Sequence, residues 1–177
     1  MHLKKYSIIS TIIIFILSFM SHYLYEWFPN DVFAIFFPVN ESVWEHMKII
    51  YSTSIFYGFF EFFIKYKNIK KNYFFSIFIG SVFNVIIYLL IFLPFFYMNI
   101  QNLLLDLFLL FITIYISQWL KYYIIYHIKN ICLLNYFSIL LIILVFTVFG
   151  YLTYNPIKND LFLDENKQKY GINTYII

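Results

Sequence analysis

The chain of 177 residues is 63% hydrophobic and only 12% charged, a composition that excludes a soluble globular domain of this size. All 12 basic residues are lysine. Without arginine, and without a basic stripe outside the apolar stretches, the sequence argues against nucleic-acid binding. Its single cysteine, Cys132, excludes an intramolecular disulfide. We expect a multi-pass protein of the cell membrane, embedded in the lipid bilayer, and the lysine and isoleucine bias points to an AT-rich bacterial genome.

Five apolar stretches predict an all-α fold, a polytopic transmembrane helix bundle. The first stretch is too long for a cleaved signal peptide and is not followed by a small-residue cleavage site. A shorter apolar piece at 32–37 cannot cross a bilayer and is interpreted as an interfacial or shallow re-entrant segment. We expect one integral membrane domain, with a polar outer tail at 153–177 and spans at about 6–25, 42–64, 73–94, 103–120 and 131–152.

The distribution of charge orients these spans. With the N-terminus inside, most lysines fall in inner segments, namely Lys4, Lys5, Lys65, Lys67, Lys70, Lys71, Lys121 and Lys129. Most acidic residues then fall outside, namely Glu26, Asp31, Glu41, Glu45, Asp160, Asp164 and Glu165. Because lysine favours the cytoplasmic side, the sequence predicts the N-terminus inside and the C-terminus outside. Near the inner end of the second span, Glu61 lies four residues before Lys65, and the two are expected to pair.

A polar motif at 38–48, Pro-Val-Asn-Glu-Ser-Val-Trp-Glu-His-Met-Lys, precedes the second span. Two helix starts are compatible with it. In the first, Asn40 is the N-cap and Val39 and Trp44 form a hydrophobic staple. In the second, Ser42 is the N-cap and Glu45 closes a capping box. Both alternatives place the motif at the outer membrane surface.

The same motif resembles the signature of an uncharacterised family of small bacterial polytopic membrane proteins. In that family a His-x-x-Tyr-Glu-Trp run ends the first span, matched here by His22, Tyr25, Glu26 and Trp27. The tail is similar to the family's C-terminal pattern at Pro156, Leu161, Phe162, Asp164, Tyr170, Gly171 and Ile172. The resemblance implies no activity, but it implies that the tail packs back over the outer motif.

Imidazole and carboxylate groups gather at the predicted outer ends of three spans. His22 and Glu26 share one helical face, as do Glu41 and Glu45, because each pair is four residues apart. The candidate polar site comprises His22, Glu26, Asn40, Glu41, Glu45, His46 and Asp106. Within it, the candidate ligands for a divalent metal such as Zn²⁺ are His22, Glu41, Glu45 and His46.

A purely structural interpretation accounts for the same residues. Glu41 complements the helix dipole in that interpretation, Glu45 completes the capping box, and Lys48 neutralises one of the two acids. No His-Glu-x-x-His pattern or similarly tight metal motif is present. Ser18 and His22 weakly resemble the Ser-x-x-x-His element of seven-span intramembrane metal hydrolases, but the later His-x-x-x-His of that group is absent.

Three functions therefore remain open, and the sequence leaves undecided whether the protein is an enzyme. The first is a membrane protein with an outer metal or cation site and hydrolase-like chemistry. The second is a structural or accessory subunit that docks a protein partner through the outer motif and tail. The third is a small transporter subunit, which would need to form a homo-oligomer, although an odd number of spans and the lack of a repeat are atypical of transporters.

Overall fold

The structure is a computed structural model that describes residues 2–66, 72–100, 102–172 and 174–175. It is about 80% helical and contains six α-helices. They are α1 (His2–Trp27), α2 (Asp31–Phe36), α3 (Val43–Glu61), α4 (Tyr73–Tyr97), α5 (Leu103–His127) and α6 (Cys132–Tyr154). Of the lysines assigned to the first inner loop, Lys67, Lys70 and Lys71 lie outside the described residues.

Four helices are long and apolar enough to cross a membrane, namely α1, α4, α5 and α6. Helices α4 and α5 run past the predicted spans, because Pro94 is accommodated within α4 and α5 continues to His127. The predicted second span corresponds to α3, which a π-helical turn extends to Tyr66. Charged residues lower the mean hydropathy of α3, yet Glu45, Lys48 and Glu61 are all buried. Helix α3 is therefore a core helix of the bundle.

The helices are arranged so that α1, α3, α4 and α5 form a closed ring. Helix α1 packs on α3 and α5, and α4 packs on the same two helices from the other side. Helix α6 packs against the outside of α4, and the short α2 lies on α6. Helix α2 thus occupies the apolar piece that was expected to be interfacial. It begins at Asn30, whose side chain accepts a hydrogen bond from the Phe33 N–H.

The start of α3 resolves the two alternatives for its cap. Ser42 is the N-cap, with its hydroxyl accepting the Glu45 N–H at 3.3 Å. Asn40 instead accepts the Ser42 N–H at 2.9 Å. The Glu45 carboxylate does not complete the capping box on Ser42, because it accepts the N–H of Val39 at 3.1 Å.

The tail folds over the N-terminal end of α3. A short 3₁₀ turn, Asp160–Phe162, leads into a three-stranded antiparallel sheet of order β1-β2-β3, with β1 at Leu163–Asp164, β2 at Lys169–Tyr170 and β3 at Thr174–Tyr175. Phe162 stacks on Trp44 with ring centroids 4.8 Å apart. The Asn40 amide donates to the Gly171 carbonyl at 2.9 Å. Gly171 has a φ of 53°, a left-handed conformation that favours glycine at this turn.

Candidate metal centre

Two histidines and one glutamate converge where α1 ends and α3 begins. The Nε2 atoms of His22 and His46 lie 3.2 Å apart. The Glu41 Oε2 atom lies 3.5 Å from each of them. A tetrahedral Zn²⁺ ion, with bonds of about 2.0–2.2 Å, spaces its ligand atoms about 3.3–3.5 Å apart. The three atoms are therefore spaced like the corners of one face of such a coordination tetrahedron.

Neighbouring groups hold the His46 side chain and the backbone of Glu41. The Nδ1 atom of His46 lies 2.9 Å from the Ser42 carbonyl, so a proton on Nδ1 leaves the Nε2 lone pair free to bind a cation. The backbone N–H of Glu41 donates to the buried Asp164 carboxylate at 3.1 Å. The Nδ1 atom of His22 has no partner among the described residues. Within the described part of the chain, the His46 ring therefore has a contact on its second nitrogen, and the His22 ring does not.

The electrostatic environment keeps Glu41 in its ionised form. A hydrogen bond from His22 is the main cause that holds the pKa of the Glu41 carboxyl below its ordinary value, and the nearby charge of His46 acts in the same direction. Partial burial opposes both effects. A metal ion binds the deprotonated carboxylate, so this environment prepares Glu41 to act as a ligand.

The cluster faces a partly enclosed cavity of about 550 Å³. Its walls come from the parts of the four ring helices nearest the cluster, and the tail contributes Leu163, Glu165 and Asn166. Asp106, in the first turn of α5, also lines the cavity. Its Oδ1 atom is buried without a hydrogen-bond partner among the described residues. A cation bound by the cluster would therefore border a cavity large enough for a small-molecule ligand.

The remaining residues of the predicted site lie apart from this cluster. Glu26 is exposed at the end of α1. Asn40 is buried and binds the tail. Glu45, predicted as a metal ligand, forms a buried ion pair with Lys48 at 2.6 Å and accepts the Thr153 hydroxyl at 3.0 Å. One helical turn separates Glu41 from Glu45, but Glu41 precedes the Ser42 cap and so does not share the helical face of Glu45.

A second buried ion cluster occupies the opposite end of α3. Glu61 accepts hydrogen bonds from Lys121 at 2.7 Å and from Tyr73 at 2.9 Å, and also from Tyr122. The expected pair with Lys65 is present at 3.3 Å. Lys121 was expected in an inner loop, but α5 continues past it and carries its ammonium group into the bundle. Glu61 is saturated by these donors, as suits a structural ion pair.

A family model covers residues 1–172, and its description is Family of unknown function (DUF6512). The chain belongs to this family. No curated protein matches the chain. No solved structure matches it either. Membership confirms that the family is an uncharacterised one, and it carries no activity, so the function has to be argued from the geometry of the centre.

Sequence reasoning missed the residues that position the centre. Asp164 belonged to the tail pattern, but no spacing connected it with Glu41, which lies 123 residues earlier. Thr153, taken as the first residue of the tail, is in α6 and bonds both Glu45 and Lys48. Contacts of this kind depend on how distant elements pack, and local sequence contains no periodicity that reports them.

Proposed function

We propose that the protein crosses the membrane five times, with its N-terminus inside and its C-terminus outside. We also propose that it carries a catalytic metal centre on the outer side. The fifth span is α3, whose 19 residues extend about 28 Å, close to the roughly 30 Å hydrocarbon core. Its charged residues Glu45, Lys48 and Glu61 form ion pairs within the bundle, which lowers the cost of placing them at membrane depth.

The observation that carries the proposal is the triangle formed by His22, Glu41 and His46, with edges of 3.2, 3.5 and 3.5 Å. Structural zinc sites are closed by four protein ligands, whereas catalytic sites use three and leave one position for water. Two histidines and one glutamate are a ligand set found in zinc hydrolases. The function that this arrangement supports best is metal-dependent hydrolysis, with Zn²⁺ lowering the pKa of its bound water and polarising the bond to be cleaved.

The structural or accessory alternative receives less support. That hypothesis expects the outer motif to be exposed and available to a partner. Instead Asn40, Ser42, Glu45 and Lys48 are all buried, and their bonds lie within the chain. A transporter subunit is favoured by no contact among the described residues.

The coordination geometry can be tested by cobalt substitution. We expect Co²⁺ added to the detergent-purified protein to give the intense visible absorption of a four-coordinate ion. We also expect azide to change this spectrum, because azide would enter the open position. The Glu41→Gln variant should lose the spectrum, and Glu26→Gln, which changes an exposed acid near the same helix end, should keep it. A weak six-coordinate spectrum, or a spectrum unchanged in Glu41→Gln, would count against the proposal.

A further inference from the structure

The cavity beside the metal centre has a polar rim and an apolar floor. The name rim is used for the level of the cavity at which His22, His46 and Asp106 line it from three different helices. About one turn deeper, the same helices contribute Ser18, Ile49 and Leu110 to the wall. Most other residues that line the cavity are apolar or aromatic, including Phe19, Tyr88, Phe92, Phe96 and Leu107. Together they are called the apolar floor. A ligand that fills this cavity must therefore be amphiphilic.

Two residues of the cavity wall are also exposed on the outside of the helix bundle. Phe19 on α1 is 44% exposed, and Leu103 on α5 is 72% exposed, yet both also line the cavity. Side chains that belong to both surfaces mark the place where an alkyl chain could pass from the lipid phase into the cavity. The volume of about 550 Å³ lies within the range of about 300–1,000 Å³ typical of small-molecule sites.

Asp106 supplies a group that the metal triangle lacks. Asp106 lines the cavity, and its Oδ1 atom is buried without a partner among the described residues. The side chain is also close enough to His46 to interact with it electrostatically. A buried carboxylate oxygen without a donor is costly unless something fills its place.

We propose that the cavity binds a single-chain acyl ester and that Asp106 is the general base for its hydrolysis. This proposal rests on the metal centre proposed above. The alkyl chain lies on the apolar floor, and the ester carbonyl lies at the rim beside His22, Glu41 and His46. Asp106 removes a proton from water, and the water oxygen bonds to the carbonyl carbon. The carbon–oxygen bond to the alcohol then breaks, and Asp106 returns the proton to the leaving alkoxide. The products are a carboxylic acid and an alcohol, and no redox partner is needed.

The test uses the full chain in detergent, loaded with zinc, and the fluorogenic umbelliferyl esters of lauric acid and acetic acid. We expect the laurate ester to be hydrolysed with the higher kcat/KM, because only its chain fills the apolar floor. The Asp106→Asn variant should keep its zinc and a similar KM while kcat falls about a hundredfold, the lower end of general-base contributions. Asp106→Glu should recover part of that loss.

A matched pair of tryptophan variants tests the floor of the cavity. Leu107→Trp places an indole in the cavity and should abolish the preference for laurate, whereas Leu104→Trp, at a position 78% exposed and outside the cavity wall, should behave as the wild type. Zinc content shows whether each variant is folded. A zinc-loaded protein that cleaves neither ester, or an Asp106→Asn variant as active as the wild type, would overturn the ester proposal alone. A protein that hydrolyses laurate without binding zinc would overturn the metal proposal alone, and one that does neither would overturn both.

Discussion

The Nε2 atoms of His22 and His46 meet at 3.2 Å although the residues are 24 positions apart. One lies in the last turns of α1 and the other in the first turn of α3. The intervening chain turns through α2, which Lys48 ties to α3 by donating to the Ala34 carbonyl at 2.8 Å. Asp164 ties the tail to the backbone of Glu41. The centre therefore depends on anchors that do not themselves face the cavity.

Replacing Asp164 with alanine should weaken metal binding without removing a ligand. The buried carboxylate accepts the N–H groups of Glu41, Asn166 and Lys167 at 3.0–3.1 Å, and without it the segment that carries Glu41 is released. Loss of an outer-shell partner typically costs about 10–100-fold in metal affinity. Zinc affinity measured by chelator competition checks this. The exposed Asp160→Ala variant is the control, and equal affinities in the two variants would contradict the role given to Asp164.

Removing Lys48 should destabilise the bundle strongly. Lys48 and Glu45 are 0% and 1% exposed and lie 2.6 Å apart, so the Lys48→Met variant leaves a buried carboxylate without its cation. Breaking a buried pair in this way costs about 3–5 kcal/mol. The Glu45→Gln, Lys48→Met double variant should lose less, because no charge remains buried. The midpoint temperatures of thermal unfolding in detergent rank the wild type, the single variant and the double variant by stability.

The pair formed by Glu61 and Lys65 is more exposed and serves as the comparison for the buried pair of Glu45 and Lys48. Lys65 is 38% exposed, and Glu61 keeps Lys121 and two tyrosines when Lys65 is replaced. Lys65→Met should therefore cost no more than about 1 kcal/mol, as for exposed pairs generally. A Lys65→Met variant as unstable as Lys48→Met would contradict the distinction between the two pairs.

The native Cys132 reports the orientation of the chain. It is a free, exposed cysteine at the start of α6, on the side that the proposal assigns to the cytoplasm. An impermeant maleimide added to intact cells should leave it unlabelled and should label it after the cells are broken. The Cys132→Ser, Lys158→Cys variant should be labelled in intact cells, because position 158 lies in the outer tail. The reverse pattern would contradict the proposed topology.

Much of the helical layout could be predicted because hydrophobic length is a local property of sequence. The apolar stretches led to α1, α4, α5 and α6, and Ser42 was one of two caps that the motif allowed. Helices α4 and α5 extend beyond the predicted spans, to Tyr97 and His127, because hydropathy locates the apolar stretch of a helix and not the helix ends. Helix α3 combines charges with a core position, which hydropathy alone does not distinguish from an interfacial helix.

The sequence predicted the candidate site as a set of residues, and it did not indicate which of them would come together. The sequence placed histidines and carboxylates at one end of the bundle, because the spans and their orientation follow from hydropathy and charge. The position of the Ser42 N-cap decides which carboxylate lies beside the two histidines. Glu41 precedes α3 and contacts them, whereas Glu45 lies within α3 and contacts Lys48 and Thr153. That choice is made by packing against α2, α6 and the tail, which lie far away in sequence.

The zinc content of the purified protein tests the central claim most directly. The wild type, His46→Ala and His127→Ala are loaded with zinc, freed of unbound metal and analysed by mass spectrometry. His127 is an exposed histidine at the other end of the bundle, which makes it the matched control. The account predicts close to one zinc per chain in the wild type and in His127→Ala, and almost none in His46→Ala. Zinc missing from the wild type, or retained in full by His46→Ala, would contradict it.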